Sequence, residues 1–203
     1  MKSYFRFIVI TPPQFVDEEA KHIKTLFRLG LDVLHLRKPG SDADSCRRLL
    51  DAVPAECRSR IVVHDHFCLC REYGLMGIHL NSRHPSVPVD FKFHSVSASC
   101  HSIQEVSVRK KELDYVFLSP IFDSISKTGY CSAYSSTELD EAAAVGIVDE
   151  KVIALGGITA DVLPQLRKWH FGGAAFLGDV WNRVGQDGFC DYIKRIKDLT
   201  SYV

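Results

Sequence analysis

Phe5-Arg6-Phe7-Ile8-Val9-Ile10-Thr11-Pro12-Pro13-Gln14 is the stretch that decides the fold. Phe5–Ile10 is an apolar run of strand length. The four residues after it include two prolines and no glycine. A doubly wound dinucleotide fold wants G-x-G-x-x-G here, so that backbone can turn tightly and approach a pyrophosphate. Without it, the remaining architecture that alternates strands and helices is a single (β/α)8 TIM barrel.

The rest of the chain supplies the alternation. Further apolar runs fall at Val33–Leu36, Ile61–Val63, Met76–Leu80, Phe93–Val96, Tyr115–Leu118, Val152–Leu155 and Ala174–Leu177. They are short and rich in Val, Ile, Leu and Phe, as strands buried on both faces are. Between them, Asp17–Gly30 places Ala20, Ile23, Leu26 and Phe27 on one helical face, with Gly30 where a C-cap belongs. Ser41–Ala52, Ser102–Glu112 and Thr159–Trp169 also read as helices, and Ser102 with Glu105 has capping-box spacing. The irregular stretch from Ser126 to Ser136, with Gly129, Tyr130 and Tyr134, reads as a long loop after the sixth strand.

Composition narrows the class. The chain has 203 residues, which suits one domain spanning 1–203. Lys plus Arg and Asp plus Glu are both 25, so net charge gives no reason to expect nucleic acid or a membrane surface as partner. The 7 cysteines contain no C-x-x-C pair and read as small core filler. With no secretory h-region in the first residues, they point to reduced thiols and a cytoplasmic location.

Ala154-Leu155-Gly156-Gly157-Ile158-Thr159 carries the best chemical signal. Glycines at the end of the seventh strand let backbone N–H groups approach an anion, and Gly178-Asp179 ends the eighth strand. Phosphate sites after strands seven and eight are common in barrels. The plainer reading is a tight turn. Ser124, Ser126 and Lys127 add hydroxyls and an ammonium, donors that suit a phosphate. His35 and Arg37 share one side of the second strand. His64-Asp65-His66 and His84 raise a zinc or iron site, but in no standard spacing.

His35-Leu36-Arg37-Lys38, His64-Asp65, Gly77-Ile78-His79-Leu80, Ser99-Cys100-His101-Ser102, Asp114-Tyr115-Val116, Pro120-Ile121-Phe122 and the Gly156-Gly157 segment occur in an order that resembles thiamine phosphate synthases and the related TenI proteins. The synthases join a pyrimidine diphosphate to a thiazole phosphate with Mg²⁺ and release pyrophosphate; some TenI proteins tautomerise a thiazole carboxylate phosphate. The resemblance implies thiazole contacts at Ser124 and Ser126, phosphate contacts at Gly156, Gly157, Gly178 and Asp179, and diphosphate contacts at Arg37, Lys38, His64, Ser99 and Lys127. It implies a metal position at Asp65, with His84 where the second metal aspartate falls.

The departures cluster in the diphosphate half. His35 stands for a Gln, Pro39 for a Lys, His64 for an Asn and His84 for an Asp. Asp179 stands where a Ser is usual, and Pro120 where the TenI tautomerase carries its histidine. The expectation is therefore a thiazole tautomerase that needs no cofactor, with His35 as base and His101 as second candidate. The alternatives are a synthase, which would need Mg²⁺, and a non-catalytic sensor of a phosphorylated ligand. The expected partner is a phosphorylated thiazole, and the sequence leaves a homodimer open.

Overall fold

In the computed structural model, residues 4–89, 91–123 and 133–201 are described. Eight parallel strands, β1 (Arg6–Ile10), β2 (Val33–Leu36), β3 (Ile61–Val63), β4 (Gly77–Leu80), β5 (Ser95–Cys100), β6 (Tyr115–Leu118), β7 (Val152–Leu155) and β8 (Gly173–Phe176), close into a barrel in sequence order. The seam pairs Phe7 with Ala174 and Val9 with Phe176. Around it lie α1 (Glu19–Arg28), α2 (Ala43–Ala52), α3 (Ala55–Arg58), α4 (Cys68–Glu72), α5 (Ile103–Arg109), α6 (Ser136–Ala144), α7 (Leu163–Lys168), α8 (Gly178–Trp181) and α9 (Phe189–Ser201). None of the described helices is long and apolar enough to cross a membrane.

The local signals act as their chemistry requires. Gly30, at φ 102°, ends α1; its N–H donates to the Phe27 carbonyl and that of Leu31 to the Leu26 carbonyl. This is the paired bonding that a left-handed glycine permits after a helix. Asp42 caps α2 and Ser102 caps α5 through their side chains. The Glu105 carboxylate, however, accepts from the His101 N–H at 2.9 Å, one residue before the cap. A complete capping box forms instead at Ser135 and Glu138. The helix expected from Thr159 starts as a 3-10 turn, Ala160–Val162, before α7. Pro164 has no N–H to return to the Ala160 carbonyl, so the first turn cannot be α-helical.

One strand differs clearly from its sequence expectation. β5 is Ser95–Cys100, Ser-Val-Ser-Ala-Ser-Cys, rather than Phe93–Val96. Its Ala98 and Cys100 pack outward toward the helices, whereas Ser97 and Ser99 meet His79 of β4. A strand whose inner face meets polar groups needs no apolar run, so hydrophobicity alone underreads it.

Two apolar clusters result. The larger lies between barrel and helices and holds Phe7, Leu34, Val63, Ile78, Val116, Ala154 and Phe176. The smaller fills the barrel with Ile8, Ile10, Val33, Val62, Tyr115, Phe117, Ile153 and Ala175. On the β2–β4 side the interior is polar instead. His35, His64 and His79 are all buried there.

Candidate active site

The strands all run in one direction, so their C-terminal ends share one face, the face where barrels assemble their chemistry. Just past the end of β7, Gly156 and Gly157 adopt φ 95° and 65°. A Cβ on Gly156 would lie 2.9 Å from Pro120 Cα, and one on Gly157 only 2.5 Å from the Asp123 carbonyl oxygen. The glycines are thus required by the close approach of the loop after β6. That approach is fastened by Ile121 N–H to the Leu155 carbonyl and Phe122 N–H to the Gly156 carbonyl. Among the described residues, the N–H groups of Gly156, Gly157 and Gly178 donate to no protein acceptor. Backbone donors at the ends of two paired strands form an arrangement able to hold an anion.

Asp179, next to Gly178, is buried. Its carboxylate accepts from the Tyr192 hydroxyl and lies 3.4 Å from Arg183. The Tyr192 oxygen in turn accepts from the Ala160 N–H at 3.1 Å. This chain ties α8, α9 and the turn after Gly157 together. It also turns the Asp179 charge toward Tyr192 and Arg183.

The β2 and β3 ends are organised differently. Thr11 Oγ1 accepts from the Arg37 N–H at 2.9 Å. The Arg37 guanidinium makes no ion pair among the described residues. Lys38 points away from it into the protein, where its Nζ contacts Glu19 at 2.7 and 2.8 Å and the carbonyls of Pro12 and Gln14 at 3.0 and 2.8 Å. All its donors are used, so Lys38 has none to offer a diphosphate.

Asp65 is gripped by Arg83, with three N–O distances of 2.9 to 3.0 Å, and His84 Nε2 lies 3.4 Å from the same carboxylate. Asn81 holds this turn, donating to the His64 carbonyl at 2.6 Å and accepting from the Arg83 and His84 N–H groups. Mg²⁺ seeks free carboxylate oxygens. A carboxylate forked by a guanidinium and faced by an imidazole is a poor donor set for it, and these residues do not fit the ion.

His35 is enclosed inside the barrel. Its Nε2 is 2.7 Å from the Tyr115 hydroxyl and its Nδ1 is 2.9 Å from His64 Nε2. Burial pushes both His35 and His64 well below the usual imidazole range. His79 is lowered to about 3, by burial first and by Arg109 and Arg37 second. All three rings are therefore neutral at pH 7. Ser99 is engaged with His79 Nε2 at 3.0 Å.

His101, by contrast, is exposed after β5. Its Nδ1 lies 3.2 Å from the Ser119 carbonyl oxygen. The Ser119 hydroxyl lies 3.4 Å from the same nitrogen. A carbonyl only accepts, so in the tautomer that bonds it Nδ1 carries the hydrogen and Nε2 keeps the lone pair. Ser124, Ser126 and Lys127 lie outside the described residues.

Sequence reasoning singled out His35 and His64 separately, but missed Tyr115, Ser97 and His79 as their neighbours. It also missed Arg83 on Asp65 and Tyr192 on Asp179. No local signal marks the first three, because a strand buried on both faces does not show in its sequence which residues look inward.

Backbone donors after strands seven and eight, and an arginine after β2 with no ion pair among the described residues, form an arrangement able to hold an anion. Comparison with known proteins makes this specific. The profile described as thiamine monophosphate synthase matches residues 7–180, and the chain belongs to that family, whose members are enzymes of thiamine synthesis. A thiamine phosphate pyrophosphorylase from Bacteroides thetaiotaomicron is similar at 45% identity, with 97% of this chain and 98% of that one covered and a TM-score of 0.87. The thiamine phosphate pyrophosphorylase from Pyrococcus furiosus, at 16% identity, a TM-score of 0.76 and coverage of 98% and 96%, shares the fold. So does a chain from the Amycolatopsis orientalis BexX/CysO complex, at 12% identity, a TM-score of 0.64 and coverage of 97% and 89%. No curated protein matches the sequence.

Proposed function

We propose that this family member binds a thiazole phosphate and moves a proton on it as a tautomerase, without Mg²⁺. The observation that carries the reading is the state of Asp65, which is spent on Arg83 and faces His84 instead of a second carboxylate. Proton transfer needs no metal. The N–H groups of Gly156, Gly157 and Gly178, which have no acceptor among the described residues, suit the phosphate, and Arg37 supplies a planar donor fork for a carboxylate.

Of the two histidines considered from sequence, His101 is the better placed base. It is exposed, and the tautomer with Nδ1–H on the Ser119 carbonyl has Nε2 as acceptor. His35 has no open face and serves the interior. Turnover of the carboxythiazole phosphate tautomer should fall by ~10²–10⁴-fold in His101→Gln, the usual loss for a general base. An unchanged rate would remove His101 from the mechanism, and no wild-type turnover alongside phosphate binding would favour a ligand sensor.

A synthase reading is favoured by one observation, the 45% identity to a protein named a thiamine phosphate pyrophosphorylase. Incubation with both thiamine precursors, with and without Mg²⁺, separates the two. Thiamine phosphate formed only with Mg²⁺ would replace the tautomerase reading.

A further inference from the structure

The proton transfer above uses none of the three histidines inside the barrel. Interior positions of such barrels are normally filled by Val, Ile and Leu. Here three adjacent strands present imidazoles, and a ligand atom from each of His35, His64 and His79 lies within 4.8 Å of the others. The His64 and His79 rings stack at 4.2 Å, and His35 meets them edge-on at 5.2 and 5.3 Å. We propose that His35, His64 and His79 form a binding site for a borderline transition-metal ion of the Zn²⁺ type, with a fourth position left for water or an anion.

The outer atoms of two ligands already have partners of the kind that orient metal-bound histidines. With the His35 hydrogen on Nε2, it donates to the Tyr115 hydroxyl at 2.7 Å and leaves the Nδ1 lone pair pointing at His64. His79 has Ser97 at 2.9 Å on Nδ1 and Ser99 at 3.0 Å on Nε2, so a serine accepts from whichever nitrogen keeps its hydrogen. His64 is anchored through its carbonyl by Asn81. Nδ1 of His35 and Nε2 of His64 are 2.9 Å apart and share one hydrogen. Two nitrogens bound to tetrahedral zinc at ~2.0–2.1 Å stand roughly 3.3 Å apart. A metal ion can therefore replace that hydrogen with a small opening of the pair. The hydrogen moves to an outer ring nitrogen, both rings stay neutral, and no proton is lost.

The donor chemistry selects the ion. Three uncharged imidazoles suit Zn²⁺, Co²⁺, Ni²⁺ or Cu²⁺ and not Mg²⁺ or Ca²⁺. Arg37, Arg83 and Arg109 bring positive charge near, but Arg83 is paired with Asp65 and Arg109 with Glu105. The charge of Arg37 remains, and it favours an anion, hydroxide or the ligand's own acid group, in the fourth position.

Chelator-treated full-length protein should be titrated with Co²⁺. One equivalent should give the intense visible bands of tetrahedral cobalt, removable by Zn²⁺. Cu²⁺ bound to the wild type should show nitrogen hyperfine structure from imidazoles in its electron paramagnetic resonance spectrum. His35→Gln and His79→Gln should each weaken binding by more than ten-fold, and Tyr115→Phe by ~10–100-fold as an orienting partner is lost. His22→Gln, on α1 outside the barrel, should change nothing. If a core variant does not fold, the wild-type spectra decide. Weak octahedral cobalt bands, no imidazole hyperfine structure, or Co²⁺ affinity equal in folded wild type and His79→Gln would overturn the site.

Discussion

Replacing Lys38 by Met tests whether this lysine is structural. Its Nζ and the Glu19 carboxylate are 2.7 Å apart, with side chains only 1% and 2% exposed. The same ammonium satisfies the carbonyls of Pro12 and Gln14. Met keeps the volume of the stem but leaves Glu19 buried without its counter-ion. Breaking a buried pair in this way costs about 3–5 kcal/mol. Burial already pushes the Glu19 carboxyl upward. Taking up a proton is therefore its escape, which places the loss toward the lower end of that range. Against a typical domain stability of about 5–15 kcal/mol, the effect is large. Urea unfolding at pH 7 should show a lower midpoint at nearly constant slope. Lys38→Met/Glu19→Leu removes both charges and should be more stable than Lys38→Met alone, because no uncompensated ion remains. A loss below about 1 kcal/mol, or a double variant no better than the single, would refute the argument. Little loss of stability combined with weakened anion binding would instead make Lys38 the diphosphate contact that the family resemblance implies.

Gly157→Ala should weaken inorganic phosphate binding and lower stability, because its φ of 65° and the Asp123 oxygen 2.5 Å from the added Cβ leave no relaxed arrangement; calorimetric titration and thermal unfolding measure the two effects. Tyr192→Phe should cost about 1–3 kcal/mol, since the Asp179 carboxylate and the Ala160 N–H each lose their hydrogen bond to the hydroxyl, and a change in unfolding midpoint reports it. Native-state labelling with a disulfide reagent at pH 8 should modify the exposed Cys68 and Cys190 and spare the buried Cys70 and Cys100. Burial pushes those two thiols up to about 11 and about 12, so thiolate at either should appear only as pH rises toward those values or as the protein unfolds. Equal labelling of Cys100 and Cys190 at pH 8 would contradict the burial.

By itself, the sequence determined what is local. The glycine-free turn after Ile10, the spacing of apolar runs, the cap at Ser102, and Gly30 after α1 were legible because each depends on residues a few positions apart. The glycine pair at Gly156-Gly157 was legible for the same reason. Only the tertiary structure decided which strand faces look inward. A strand buried on both sides carries apolar residues on both, so periodicity does not reveal its parity, and β5 shows the converse, with serines on its inner face and no apolar run at all. Barrel closure then brought His35, His64 and His79 together from three strands, turned Lys38 onto Glu19, and set Arg83 on Asp65. These partners are 15 to 44 residues apart in the three histidines and 19 and 18 in the two ion pairs. Contacts at such separations follow from strand register and loop packing, which no local pattern of residues encodes.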